Sequence, residues 1–176
     1  MTTTKQDAIQ LLDIFDPEMA DLLHREERRQ FETISLIASE NIVSPLAACL
    51  EGSVFTNKNT EGYPGKRFVG GCQLSDQAEL LAVERVKKVF GAEHANIQSG
   101  NATIANMAVL VALLNPGDTF MGLTLDNGGH LSHGAKFHFS GREFHALHYG
   151  VNKATERIDM EQVRQMALES KPKMIV

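Results

Sequence analysis

The feature that most constrains the fold of this 176-residue chain is a change of period near residue 94. Beyond it, short apolar runs alternate with helical segments, divided by turns rich in Gly, Pro, Asn and Asp. Ala95–Gln98 reads as a short strand, Asn101–Leu114 as a helix and Thr119–Leu125 as an apolar strand. Glu143–Tyr149 reads as another strand, Asp159–Ser170 as a helix and Lys173–Val176 as the start of a strand. Such alternation predicts an α/β fold, with a mostly parallel sheet covered by helices. Ligands of such sheets gather outside the carboxyl ends of the strands, so the turns after Gln98 and Leu125 are the expected places for a site. The final residues fall inside an expected strand. A parallel sheet cut there exposes an apolar edge, which predicts either a fragment or a fold completed by a second polypeptide.

Upstream, the pattern is helical. Asp16-Pro17-Glu18 combines an N-cap, a proline in the first turn and an acid beside it, and predicts a helix running through Leu22, Leu23 and Phe31 toward Ile34. Ser44-Pro45 opens a short helix through Leu50, and a longer one is expected from Ser75 to Phe90, stopped by Gly91. Residues 1–52 thus read as a helical arm, and 53–176 as the first part of a large domain.

Two glycine-punctuated loops interrupt these elements, Thr60–Gly71 and Asp126–Gly134. Both set polar and ionisable side chains between glycines, and neither is expected to form regular helix or strand. Loops of this chemistry between apolar segments are where sites are built. The first carries Glu61, a candidate acid or base if enclosed, with Lys66 and Arg67 as surface charges or anion contacts. The second carries His130 and His133, whose spacing matches no zinc signature, so no metal is expected. His138, His145 and His148 read as structural histidines. Gln98-Ser-Gly-Asn-Ala-Thr103 sits at a strand-to-helix turn, where free N–H groups suit a phosphate, although from the residues alone simple capping of the helix by Ser99 or Asn101 is the favoured explanation. Ser39 and Glu40 have turn and capping chemistry.

A formal net charge of -5 and the lack of a dense Lys/Arg cluster argue against nucleic acid as a partner. The longest apolar stretch, Met107–Leu114, is too short to span a bilayer, and no secretory leader is visible. Two cysteines, Cys49 and Cys72, imply no disulfide framework, and a cytoplasmic location is expected.

Taken together, Leu36-Ile-Ala-Ser-Glu-Asn41, Thr56-Asn-Lys58, Glu61-Gly-Tyr-Pro-Gly-Lys-Arg67, Gly70-Gly-Cys72, Pro116-Gly-Asp118, Gly128-Gly-His-Leu131 and Lys171-Pro-Lys-Met-Ile175 resemble the serine hydroxymethyltransferase family. The resemblance runs in order from about residue 30 onward. It implies the N-terminal part of the large domain of a fold type I, aspartate-aminotransferase-like enzyme. It also implies pyridoxal phosphate as electron sink and tetrahydrofolate as the one-carbon acceptor. By the same resemblance His130 stacks on the cofactor ring, and Glu61 is the acid/base carboxylate, reaching in from a neighbouring subunit. Ser39 holds the substrate carboxylate, and Leu125, Gly129 and Leu131 line the folate site.

The chain departs from the family pattern at several of these places. Asn59 stands where the family has a cofactor-site tyrosine. Phe68 and Val69 replace two tyrosines, the first at the folate site and the second near the substrate. The phosphate cup, Ser-Gly-Ser or Ser-Gly-Ala in the family, is Asn101-Ala102-Thr103 here, which keeps side-chain donors. The family's Schiff-base lysine, its pyridine-pairing aspartate and its carboxylate-binding arginine lie further along than residue 176. Lys171 and Lys173 match a run before the next strand and not that lysine. These features imply the N-terminal half of a hydroxymethyltransferase-like enzyme acting by retro-aldol chemistry on a β-hydroxy or α-substituted amino acid. A C-terminal partner chain would complete it as a hetero-oligomer. A catalytically incomplete regulatory or scaffolding subunit and a fragment of a divergent enzyme are the other readings.

Overall fold

The computed structural model describes residues 5–176, which form two compact units, one up to Arg85 and one from Val86 to Val176. In the first unit, α1 (Lys5–Phe15) and α2 (Pro17–Glu32) are separated by Asp16, whose carboxylate accepts the Met19 N–H at 3.1 Å. The expected helix start is therefore built as read; its end falls at Glu32, ahead of Ile34. Ser44 caps α3 (Pro45–Glu51) in the same way, accepting from Ala47 N–H. α4 (Gln73–Phe90) begins two residues earlier than expected and ends at Gly91, which takes φ +60°.

Residues 60–71 depart from the expectation of no regular structure. They contain a two-residue antiparallel hairpin, β1 (Gly62–Tyr63) with β2 (Lys66–Arg67), turned by Pro64-Gly65. Glycine at 62 is required there. It takes φ +99°, and a Cβ would lie 2.5 Å from the Lys66 carbonyl oxygen. Among the described residues of this unit only Ala20 and Cys72 are buried apolar groups.

The second unit contains the sheet. β3 (Thr119–Leu123) lies between β4 (His145–Tyr149) and β7 (Met174–Ile175), all parallel, with Phe120 facing Ala146 on one side and Met174 on the other. The parallel expectation is met for these strands. The strand expected at Ala95–Gln98 is absent: the Asn96 side chain accepts the Gln98 N–H at 2.9 Å, a local turn bond that takes a donor a ladder would need. α5 (Ala102–Leu113), α6 (Phe139–Glu143) and α7 (Met160–Ser170) surround the sheet's sequence neighbours, and β5 (Val151–Asn152) pairs with β6 (Arg157–Ile158) as a separate hairpin. The residues expected to open β4 are spent instead on the end of α6, so the strand starts at His145.

The core of this unit is Leu110, Leu114, Phe120 and Phe144, with Phe139, Ala146 and Met174 packed against it. Phe144 meets Phe120 and Phe139 edge-on, at ring centroid distances of 6.3 and 5.9 Å, the geometry that aromatic quadrupoles favour. This packing anchors β3 through Phe120, near its amino end, and the His130 loop follows the strand's carboxyl end.

Candidate functional site

The His130 loop is built from two short 3₁₀ turns, Leu125–Asn127 and Leu131–His133. Between them the backbone doubles back: Gly129 N–H bonds to the Thr124 carbonyl at 2.9 Å, and a Cβ at 129 would collide with the Leu123 carbonyl oxygen. Glycine here is a packing requirement, whatever Gly129 contributes to a folate site. His130 then caps the second turn with its imidazole. Its Nδ1 accepts the Ser132 N–H at 3.1 Å and lies 2.7 Å from Ser132 Oγ, while His133 Nδ1 accepts the His130 N–H at 3.4 Å. The two rings meet edge to face, 5.7 Å apart.

His133 is half-buried, and its pKa is lowered, first by that burial and then by the neighbouring His130 and His148. His148 Nε2 donates to the His133 carbonyl at 2.9 Å. His138 and His148 are hydrogen-bonded structural histidines, as read; His138 caps α6 through Ser140 N–H at 3.1 Å.

His130 and Leu125 line one cavity of about 380 Å³ with Thr124, Ala135, Phe137 and His148. Leu131 is exposed beside them. The Asn101–Thr103 turn opens α5. Asn101 caps it, its Oδ1 accepting the Ile104 N–H at 2.9 Å. That bond leaves the Asn101 amide NH₂ and the first-turn N–H groups of Ala102 and Thr103 pointing off the helix end. Asn106, one turn on, donates to Ser132 Oγ at 2.7 Å and so ties α5 to the His130 loop. The structure therefore brings His130 and Leu125 to one cavity and joins the second turn of α5, the helix that Asn101 caps, to the His130 loop.

In the first unit the candidate residues are held differently. Arg67 is not a surface charge, which corrects that expectation, and the anions it meets are carboxylates of this chain. Its side chain is only 6% exposed. Its guanidinium donates to Asp76 at 2.8 Å and Glu79 at 2.6 Å, and to the carbonyls of Thr60 and Gly62, each at 2.6 Å. Bonds to Glu79 and then Asp76 raise the Arg67 pKa, and those from Arg67 and the Gly65 N–H lower that of Asp76. Thr60 and Gly62 flank Glu61, so the clamp sets the backbone on both sides of that carboxylate. Asn59 Oδ1 accepts the Glu61 N–H at 3.2 Å, and the Glu61 carbonyl accepts Phe68 N–H at 3.0 Å. Phe68 is exposed, Val69 half-buried. Ser39 lines a separate open groove with Arg29, Ser35, Asn41 and others, where Ser35 Oγ donates to Glu40 at 2.6 Å.

Asn106 and Ser132 are not marked by sequence reasoning, and Arg67 is marked there without its role as a clamp. Asp76 and Glu79, three apart on one helix face, were the signal that could have found that role. Nothing local marks Asn106 and Ser132, which are 26 residues apart.

The sequence profile of the serine hydroxymethyltransferase family matches residues 12–176. The chain belongs to the serine hydroxymethyltransferase family. It is 54% identical over 162 residues to a serine hydroxymethyltransferase of Alkalilimnicola ehrlichii, covering 92% of this chain and 39% of that protein. It is likewise 54% identical over 160 residues to one of Lactobacillus gasseri, covering 91% of this chain and 39% of the relative. The chain thus spans about two fifths of the length of these curated serine hydroxymethyltransferases and matches their N-terminal portion. The helices and parallel sheet are consistent with the family's fold. Among the described residues no helix is long and apolar enough to cross a membrane, and no group of three His, Cys, Asp or Glu side chains gathers as a metal centre would need.

Proposed function

We propose that this chain provides the N-terminal part of a pyridoxal-phosphate-dependent hydroxymethyltransferase site in the cytoplasm, and that a C-terminal partner chain joins it in a hetero-oligomer and carries the lysine that anchors the cofactor. The observation that carries the reading is the fixed imidazole of His130 at a cavity mouth, tied through Ser132 and Asn106 to the helix that Asn101 caps. These residues fit the cofactor: a planar ring at one end, and N–H groups at a helix start for a phosphate at the other. When bound, pyridoxal phosphate supplies the electron sink for a carbanion at the amino acid's α-carbon.

This chain's residues do the rest. The Asn101 amide, the Ala102 and Thr103 N–H groups and the Thr103 hydroxyl bind the phosphate, with Asn59 in support. His130 orients the ring. Ser39 holds the substrate carboxylate. Glu61, reaching in from a neighbouring subunit, takes the proton of the substrate's β-hydroxyl as the Cα–Cβ bond breaks, the electron pair staying on Cα and the β-carbon leaving as a carbonyl. Phe68, Leu125, Gly129 and Leu131 form the wall that tetrahydrofolate meets. Val69, in place of a phenol, removes a hydrogen-bonding group beside the substrate and favours a β-hydroxy or α-substituted amino acid other than serine.

The exposed apolar side chains of the first unit support a covering partner. Phe31 and Leu36 are each 92% exposed. The test is the intact mass of the native assembly, before and after borohydride reduction. A second chain gaining the mass of a reduced pyridoxyl-phosphate group is the expected result. An assembly that gains no such mass overturns it, and favours the regulatory subunit that the replacement of two tyrosines by Phe68 and Val69 also fits.

A further inference from the structure

Two histidines in the second unit are held by the same local device. His138 Nδ1 accepts the Ser140 N–H at 3.1 Å and lies 2.9 Å from Ser140 Oγ; His130 Nδ1 accepts the Ser132 N–H at 3.1 Å and lies 2.7 Å from Ser132 Oγ. Both serines are fully buried. A backbone N–H can only donate, so this bond favours the form in which Nδ1 offers its lone pair and a neutral ring carries its proton on Nε2, and a second donor to Nδ1 adds to that preference.

The two devices differ in their third partner. Ser140 Oγ receives the Gly134 N–H at 3.0 Å, a bond inside its own loop. Ser132 Oγ receives the Asn106 side chain at 2.7 Å, from the second turn of α5. With the Asn106 amide oriented so that its NH₂ faces Ser132 Oγ, the hydroxyl hydrogen is directed at His130 Nδ1. The hydroxyl and the Ser132 N–H then converge on one lone pair. A cap needs only the second of these donors. The first is additional and links the ring to the helix that opens with Asn101–Thr103.

We propose that Asn106 and Ser132 are positioning residues that present His130 as a neutral ring in its Nε2–H tautomer, locked in plane relative to the start of α5. In a site where the ring stacks on a cofactor whose phosphate sits at that helix start, this one connection fixes the spacing between the two contacts. The inference rests on the role proposed for His130, but the tautomer is a property of this chain by itself.

The test is ¹⁵N–¹H correlation of the histidine side chains in the full chain at alkaline pH, with His138 as internal reference. Wild type is expected to show the Nε2–H form at both His130 and His138. Asn106→Leu and Ser132→Ala are expected to raise the Nδ1–H share at His130 several-fold while His138 stays unchanged, and Ser132→Thr, which keeps the hydroxyl, is expected to restore it. An Nδ1–H majority at His130 in wild type overturns the proposal. So does an unaltered His130 tautomer in Asn106→Leu with His138 intact. If Ser132→Ala fails to fold, the wild-type tautomer and Asn106→Leu still decide. Binding of pyridoxal phosphate, followed by absorbance in the assembled complex, is read separately. A tautomer as expected without cofactor binding leaves the relay standing and removes the proposed function.

Discussion

The two units hold their candidate residues by opposite means. In the second, Phe120 of β3 packs with Leu110, Leu114 and Phe144, and the His130 loop follows that packed strand. In the first, only Ala20 and Cys72 are buried apolar groups among the described residues, while Phe31, Ile34, Leu36 and Ile42 are almost wholly exposed. What orders the Glu61 loop is one guanidinium with two carboxylates and two carbonyls. Packing is non-directional and tolerates small shifts, whereas a four-partner polar clamp fixes backbone position but fails when one member is lost. The Glu61 loop, with little buried apolar structure in its unit, is therefore held by an arginine.

The largest effect expected from this contrast is in the core. Phe120, fully buried, truncated in Phe120→Ala should cost about 3–5 kcal/mol by the measure of buried aromatic deletions. Phe31→Ala, at a position 92% exposed, should change the stability of this chain by less than about 0.5 kcal/mol. Urea midpoints measure both. Equal losses would show that Phe31 is covered in solution, and would break the contrast between the units.

Next comes the clamp. Arg67→Met leaves Asp76 and Glu79 facing each other without their cation and frees the Thr60 and Gly62 carbonyls. The loop at 60–71 should then become a preferred site of limited proteolysis, and amide exchange at Phe68 should quicken. Arg67→Lys should recover little, since an ammonium cannot bridge four acceptors in a plane. Protection unchanged in Arg67→Met would mean that the loop is ordered by something other than the clamp.

A smaller effect separates the units by pH. The lowered pKa of His133 means that the unfolded chain binds a proton below about 6.5 that the folded chain refuses. Stability should therefore fall as pH drops from 6.5 to the folded pKa, and level off beneath it. His133→Gln should flatten that slope in the second unit. A slope that survives the substitution would assign it to another group.

The contrast also explains what the sequence disclosed. Helix starts at Asp16, Ser44 and Asp159 were legible because a cap is local chemistry, and β3 and β4 because buried parallel strands are apolar runs. The strand expected at Ala95–Gln98 was misread because its apolar alternation says nothing about whether Asn96 will keep the Gln98 N–H for itself. The hairpin at 62–67 was missed because its order comes from a clamp whose acids lie on α4. The candidates Ser39, Glu61 and His130 rest on long motif matches, which name residues without placing them. Asn106 and Ser132 were not legible, because a hydrogen bond between a helix and a loop 26 residues on leaves no periodicity behind it.

The smallest effect tests whether exposed polar contacts in the first unit share the clamp's importance. Glu26 accepts from Arg29 at 2.7 Å and from Gln30 at 2.8 Å, and these bonds, Arg29 first, hold its pKa at about 2. A depressed carboxylate contributes above its ordinary value of 4.5 and loses that contribution as pH falls toward about 2. Both side chains stand in solvent, where water and salt screen the pair and ordering two long side chains offsets the gain. Arg29→Ala should therefore return the Glu26 titration toward its ordinary range, read by carboxyl ¹³C shifts, while the urea midpoint at neutral pH scarcely moves. A midpoint that drops markedly would mean that the exposed Arg29 pair matters to folding as a buried one would, and that α2 is held by a polar network continuous with its surroundings.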